Sequence, residues 1–243
     1  MEYDYKPGPN TPFLRPANPH TTAFLALKET IELQMRTRVI RAWHYTRLTD
    51  AEVEMLRHDG VHLSTPETLR SRLKSLVMSG ALTAPLADTL YAASPFHGDQ
   101  YDARLNKFWM ASHPVAVDDG GVTPLISRWG GEVASFWMKD QTTLTALADI
   151  GKSRVIEIAV PVTLTRQSYS AANAVVATFG RSLGCATGKH DFDLYVTAPL
   201  HSDAILAVHT DGDASFHGVG HSYPEGYVDV NIAYWSELTG ENG

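Results

Sequence analysis

A chain of 243 residues with 44% hydrophobic and 19% charged residues has the make-up of a folded domain, which excludes general disorder. The net charge of −7 argues against a broad phosphate-binding surface, which needs clustered Lys and Arg. Cys185 is the only cysteine, so an intramolecular disulfide and a cysteine-built metal cage are both excluded.

Residues 1–20 carry Pro7, Pro9, Pro12, Pro16 and Pro19, whose fixed φ and missing N–H predict an extended arm. Residues 21–243 then read as a single α+β domain. The arm lacks the positive charge and apolar run of a signal peptide, and no stretch reaches the roughly 18 apolar residues of a membrane span. A cytoplasmic protein, or one exported without a cleavable signal, is expected, with no membrane partner.

Thr22–Ile40 has near-helical apolar spacing, and Val39–Tyr45 reads as a strand. Thr49 and Glu52 form a capping box for a helix that Gly60 stops. A short strand Val61–Ser64 leads to Thr65-Pro66, the start of a helix with Leu69, Leu73, Leu76 and Val77 on one stripe; Thr83 opens another. Lys107–Ser112 is an aromatic-rich strand candidate, Thr123-Pro124 starts a short helix, and Gln141–Ile150 looks helical. Arg154–Val162 is the clearest strand in the chain, β-branched and alternating. Ser170–Phe179 reads as a helix, and Phe192–Thr197, Ala204–His209 and Tyr227–Tyr234 as strands. Helices gather in the first half and strands in the second, which predicts an α+β class. Neither a dinucleotide glycine fingerprint nor a phosphate-binding GxxxxGK[ST] loop is present.

Four constellations have chemical potential, each with a plain structural alternative. In "WHYT", strand alternation puts His44 and Thr46 on one face and Tyr45 on the other. An imidazole and a hydroxyl so placed can share a ligand such as a ribose, and Arg47 can reach a phosphate. The same groups can equally satisfy backbone where a strand meets a helix cap. In "DFDLYV", Asp191, Asp193 and Tyr195 share a face; a carboxylate there can stabilise an oxocarbenium-like state, or simply face solvent on an edge strand. In "RWGGE", two glycines present Glu132 from a defined turn, or merely stop a helix. His201, His209, His217 and His221 with Asp211 and Asp213 supply zinc- or iron-type ligands, but their spacing fits no helix-borne metal motif and their glycines and aspartates read as turns.

"AWHYTRL" resembles the opening strand of ADP-ribosyltransferase-fold proteins of the diphtheria-toxin and poly-ADP-ribose-polymerase branch, and of related bacterial DarT-type enzymes. His44 and Thr46 match the family's His-x-Thr triplet, and "HDG" at His58–Gly60 resembles the end of the helix that follows. "FDLYVTAPLHSDAILAV" is similar to the family's acidic catalytic strand and its partner, with Asp193 where most members carry glutamate. "NKFWMAS" looks like the middle strand, with Tyr91, Phe108 or Trp109 as stacking candidates for nicotinamide.

The resemblance implies a split antiparallel sheet with a helical N-terminal half, and NAD bound as substrate by His44, Tyr45, Thr46, Arg47, Tyr91 and Trp109. It implies ADP-ribosyl transfer or NAD glycohydrolysis carried by Asp193 and His44, with Glu132 as a reserve carboxylate, in a toxin or defence factor. The acidic charge favours a protein or small-molecule acceptor over nucleic acid. Two other readings stand beside it: a non-catalytic nucleotide- or protein-binding module of the same fold, and a metal-dependent enzyme built on the C-terminal histidines and aspartates.

Overall fold

The computed structural model describes residues 19–184 and 190–221, so most of the proline arm, Cys185 and the expected strand Tyr227–Tyr234 lie outside the described residues. Helix α1 (Thr21–Met35) stops short of the expected Ile40, because β-branched Val39 and Ile40 open strand β1 (Val39–Leu48) instead. Helices α2 (Asp50–Asp59) and α3 (Pro66–Met78) both start from complete capping boxes, Thr49 with Glu52 and Thr65 with Thr68. Thr83 precedes α4 (Ala84–Ala92) but its side chain makes no capping bond. The segment Val61–Ser64 is not a ladder strand; it makes two isolated bridges, Val61 to Leu200 and Ser64 to Lys107. Gly60 permits this approach: its φ is +83°, and a Cβ there would sit 2.1 Å from the Leu200 carbonyl oxygen.

After a short helix α5 (Tyr101–Arg104) come β2 (Phe108–Ala111), α6 (Thr123–Ile126), α7 (Gln141–Ala148) and β3 (Lys152–Pro161). Helix α8 (Ser168–Ser182), β4 (Asp193–Val196), β5 (Ile205–Thr210) and α9 (Ala214–Gly218) complete the described chain. The class is mixed α+β, with one five-stranded sheet in the order β4-β2-β1-β3-β5 and every pair antiparallel. Helices α1–α5 all precede residue 105, as expected of a helical first half, yet the central strand β1 also lies there and the long α8 lies in the second half.

Strand alternation sorts the core. Ala42, Ile156, Ile158, Met110, Leu194 and Val196 pack on one face, with Val53 of α2 and Leu200. Trp43, Tyr45 and Val155 pack on the other, with Val122, Ile126, Phe216 and Val219. A third cluster, built from Leu69, Leu73 and Leu76 of α3 with Leu90, Leu147 and the fully buried Trp129, forms a helical layer beside the sheet.

The seams of the sheet are unequal. β1 and β3 pair continuously from Val39↔Pro161 to Leu48↔Lys152. β1 and β2 share the single register pair Trp43↔Ala111. The strands form one continuous sheet where a split one was expected; the β1–β2 seam is its thinnest, and the candidate site opens there.

Candidate functional site

A cavity of about 550 Å³ lies between the β1–β2 seam, α3 and the turn after Trp129. Small-molecule sites commonly enclose roughly 300–1,000 Å³. His44, Tyr45, Thr46, Phe108, Trp109, Glu132 and Asp193, drawn from four separate stretches of sequence, all border it.

His44 is the hinge of this arrangement. Its Nδ1–H donates to the Trp109 carbonyl at 2.8 Å, across the seam where the β1–β2 ladder has given out. The bond fixes the tautomer, and Nε2 is left as an acceptor toward the cavity. Burial pushes the imidazole down to about 4; the Trp109 carbonyl opposes this and the nearby Arg72 charge adds to it. His44 is therefore neutral near pH 7. The Phe108 ring lies against it, with centroids 4.3 Å apart. The polar strand end thus closes a weak seam and also lines a cavity.

Tyr45 and Trp109 border the cavity chiefly as scaffold. The Tyr45 hydroxyl donates to the Val115 carbonyl at 3.0 Å and accepts from the Val115 N–H at 2.6 Å, and burial drives it up to about 12. The Trp109 indole N–H donates to the Ala103 carbonyl, and its rings pack on Tyr195 at 4.6 Å. Of the aromatic candidates, Phe108 is the one whose ring packs against the His44 ring.

Two expected ligand residues do not border the cavity. Arg47 alternates with Thr46 onto the other face, where its Nε donates to the Ile150 carbonyl at 2.9 Å and its Nη1 to the Ser153 hydroxyl at 3.3 Å. Tyr91 lies in the helical layer beneath the Arg70 guanidinium, 3.6 Å from its ring centre, and against His97. Neither is placed to meet a ligand there.

Glu132 enters from the turn "WGGE". Gly130 takes a left-handed φ of +84°, and a Cβ on it would come within 2.5 Å of the Ala134 side chain, so the turn depends on glycine. Arg104 grips both Glu132 oxygens, Nη2 to Oε1 and Nη1 to Oε2 at 2.8 Å each. Burial nonetheless holds the Glu132 carboxyl above its usual range, Arg104 counteracts this, and the like charge of Asp193 reinforces it. Asp193 itself stands exposed at the rim, paired in register with Ala111. The reserve carboxylate and the strand carboxylate thus act on each other in one place.

Sequence reasoning missed Arg72 and Arg104. Arg72 lies on the buried face of α3, one turn from Leu69, and a cation beside an apolar stripe was the available signal. Its Nε donates to Glu52 at 2.8 Å and its guanidinium lies 4.7 Å from the Trp129 ring centre. Glu52 also accepts from the Thr49 N–H and hydroxyl and from the Trp129 indole N–H. Burial alone would raise Glu52, but Arg72, Thr49 and Trp129 together hold it below the usual carboxylate range. One residue thus caps α2, anchors a tryptophan and steers an arginine into the cavity wall.

The C-terminal histidines disperse. His209 meets Glu157 at 3.0 Å on the sheet, His201 meets Asp203 at 3.1 Å, and His217 lies 4.0 Å from Asp211. Among the described residues, no group of three or more His, Cys, Asp or Glu comes together in a way that could hold a metal ion. No helix among them is long and apolar enough to cross a membrane. Comparison with known proteins returned no matching family model, curated protein or solved structure.

Proposed function

We propose that the cavity binds NAD and that the protein transfers ADP-ribose from it, to an acceptor or to water. The observation that carries this reading is the meeting of His44 and Thr46 with two carboxylates, Glu132 and Asp193, around one cavity of ligand size. It is supported by the adjacency of the histidine, aromatic and acidic strands, β1, β2 and β4, that the family resemblance singles out.

The chemistry follows from charge. A neutral His44 accepts a ribose hydroxyl at Nε2, and Thr46 offers a second polar contact. Phe108 gives the pyridinium ring an aromatic neighbour. The bond from nicotinamide to ribose breaks with its electron pair returning to the ring nitrogen, and the oxocarbenium-like ribose is stabilised by the carboxylate side of the cavity. The acceptor is a protein or a small molecule in preference to nucleic acid. A role as a toxin or defence factor in the cytoplasm, where NAD is supplied, fits this activity.

The test is nicotinamide release from NAD by the purified protein. Release that vanishes in His44→Ala and Asp193→Ala, with both variants folded, is the expected result. A second reading, nucleotide binding without turnover, is favoured by one observation: Arg104 occupies both oxygens of Glu132, while Asp193 stands out at the rim. Under that reading NAD raises the melting temperature but no nicotinamide appears.

A further inference from the structure

An apolar groove lies open on one side of the sheet. It has a volume of about 430 Å³, with Ile40, His113 and Phe192 on its sheet side and Ala174, Val175 and Phe179 of α8 opposite. Val175 and Phe179 stand one helical turn apart on one face of α8, and they are 41% and 64% exposed. Through Phe192 the groove runs into β4, which ends the sheet: among the described residues β4 pairs only with β2. A terminal strand presents backbone donors and acceptors without a ladder partner, a template for one more strand.

The course of the described chain points to what covers both. After β5, helix α9 carries it back across the Trp43 and Tyr45 face, where Phe216 and Val219 pack. At Gly220 the backbone runs against Val115 and Ala116; a Cβ there would come within 2.2 Å of the Ala116 nitrogen. His221, the last described residue, therefore lies beside the segment that follows His113 of the groove wall. That exit is next to the β2–β4 pair and three positions from β5, the other terminal strand. Residues 222–226 make a link that reaches roughly 17 Å when extended. Beyond it the sequence alternates: Val228, Val230, Ile232 and Tyr234 share one parity, and Asp229 and Asn231 the other. A strand of that pattern buries one face and turns the other to water.

We propose that Tyr227–Tyr234 docks in cis as a strand on the open edge of β4, with Val228, Val230 and Ile232 turned into the α8 groove. The partner of this surface is the chain's own C-terminal segment, and its docking widens the sheet beside the strand that carries Asp193. The proposal stands on the groove, the open edge and the chain exit, and it does not rest on the NAD reading.

Hydrogen exchange on the whole wild-type chain is the first test. Amides of residues 228–234 are expected to exchange at least about tenfold more slowly than in a free peptide of the same sequence. Val230→Asp is expected to remove that protection and Asn231→Asp to keep it, with unchanged β1 and β3 amides as the sign of an intact domain. Crosslinking then locates the segment. In a Cys185→Ser background, a short bismaleimide is expected to join Val175→Cys to Ile232→Cys within one chain. Leu206→Cys, exposed on β5, is expected to stay unjoined to Ile232→Cys. Exchange of residues 228–234 at the free-peptide rate overturns the proposal, as does full protection in folded Val230→Asp or a link from Ile232→Cys to Leu206→Cys in place of Val175→Cys. A link to Val175→Cys found only between two chains overturns docking in cis and gives the groove to a second copy.

Discussion

Two glutamate–arginine pairs flank the cavity, and they differ in what surrounds the carboxylate. Glu52 is surrounded by donors, from Arg72, Thr49 and Trp129, and is held ionised despite its burial. Glu132 has Arg104 on both oxygens but Asp193 nearby, and it is pushed toward the neutral form. A carboxylate saturated by donors ties helices together. One that is buried, gripped from one side and crowded by a like charge is poised to respond when a cation approaches. Under the proposed function, the contrast gives Glu52 an architectural part and Glu132 a chemical one.

The largest effect expected to separate the two concerns turnover. Glu132→Gln keeps the size and a hydrogen-bonding end, so its unfolding midpoint should stay near wild type while nicotinamide release falls by on the order of 100-fold. If release is unchanged, the division between the pairs is wrong. Glu52→Ala should do the reverse. Removing one partner of a largely buried pair leaves Arg72 and the Trp129 indole unmet, and a loss of about 3 kcal/mol in urea unfolding is expected.

Acid titration sharpens the same contrast, because the signs differ. The folded-state value of Glu52 lies below the ordinary 4.5, so its contribution is present above pH 4.5 and is lost as the pH falls through the lowered value. His44, lowered from 6.5 to about 4, contributes above pH 6.5 and loses that contribution as the pH falls from 6.5 through about 4. The raised Glu132 contributes below pH 4.5, and its contribution fades as the pH rises through the raised value. Chemical denaturation from pH 4 to 7 should therefore show His44→Gln without the upper acid limb, and Glu132→Gln gaining on wild type as the pH rises. The smallest expected effect is at the capping box: Thr49→Ala should cost about 1 kcal/mol, with a modest weakening of ligand binding through Glu52 and Arg72.

How much of this was legible in the sequence follows from the range of each interaction. The caps at Thr49 and Thr65 are three-residue affairs, and both are present in full. Strand β3 announces itself by β-branched alternation. His44 and Thr46 could be placed on one face by parity alone. Arg47 obeys the same parity, which puts it on the face opposite Thr46, and it bonds to Ile150 and Ser153 more than a hundred residues away. Tyr91 failed for a similar reason, since its partner Arg70 belongs to another helix. Arg72 and Arg104 find their glutamates 20 and 28 positions away along the chain, and no local spacing rule reaches that far. The order β4-β2-β1-β3-β5 and the thin β1–β2 seam are likewise decided by packing between distant segments.

The long register of β1 with β3 has a consequence for how the protein comes into being. His44 pairs opposite Ile156, so the central strand must wait for a partner encoded over a hundred residues downstream. Loops of that length close slowly, and a β-rich segment kept waiting exposes an unpaired edge. On a ribosome, the first half would emerge with its capped helices ready to form but its organising strand still single. The cavity, which needs β2, β3 and β4 around that strand, is thus among the last features to exist, and a chain interrupted before residue 152 would carry the histidine without a site to hold it.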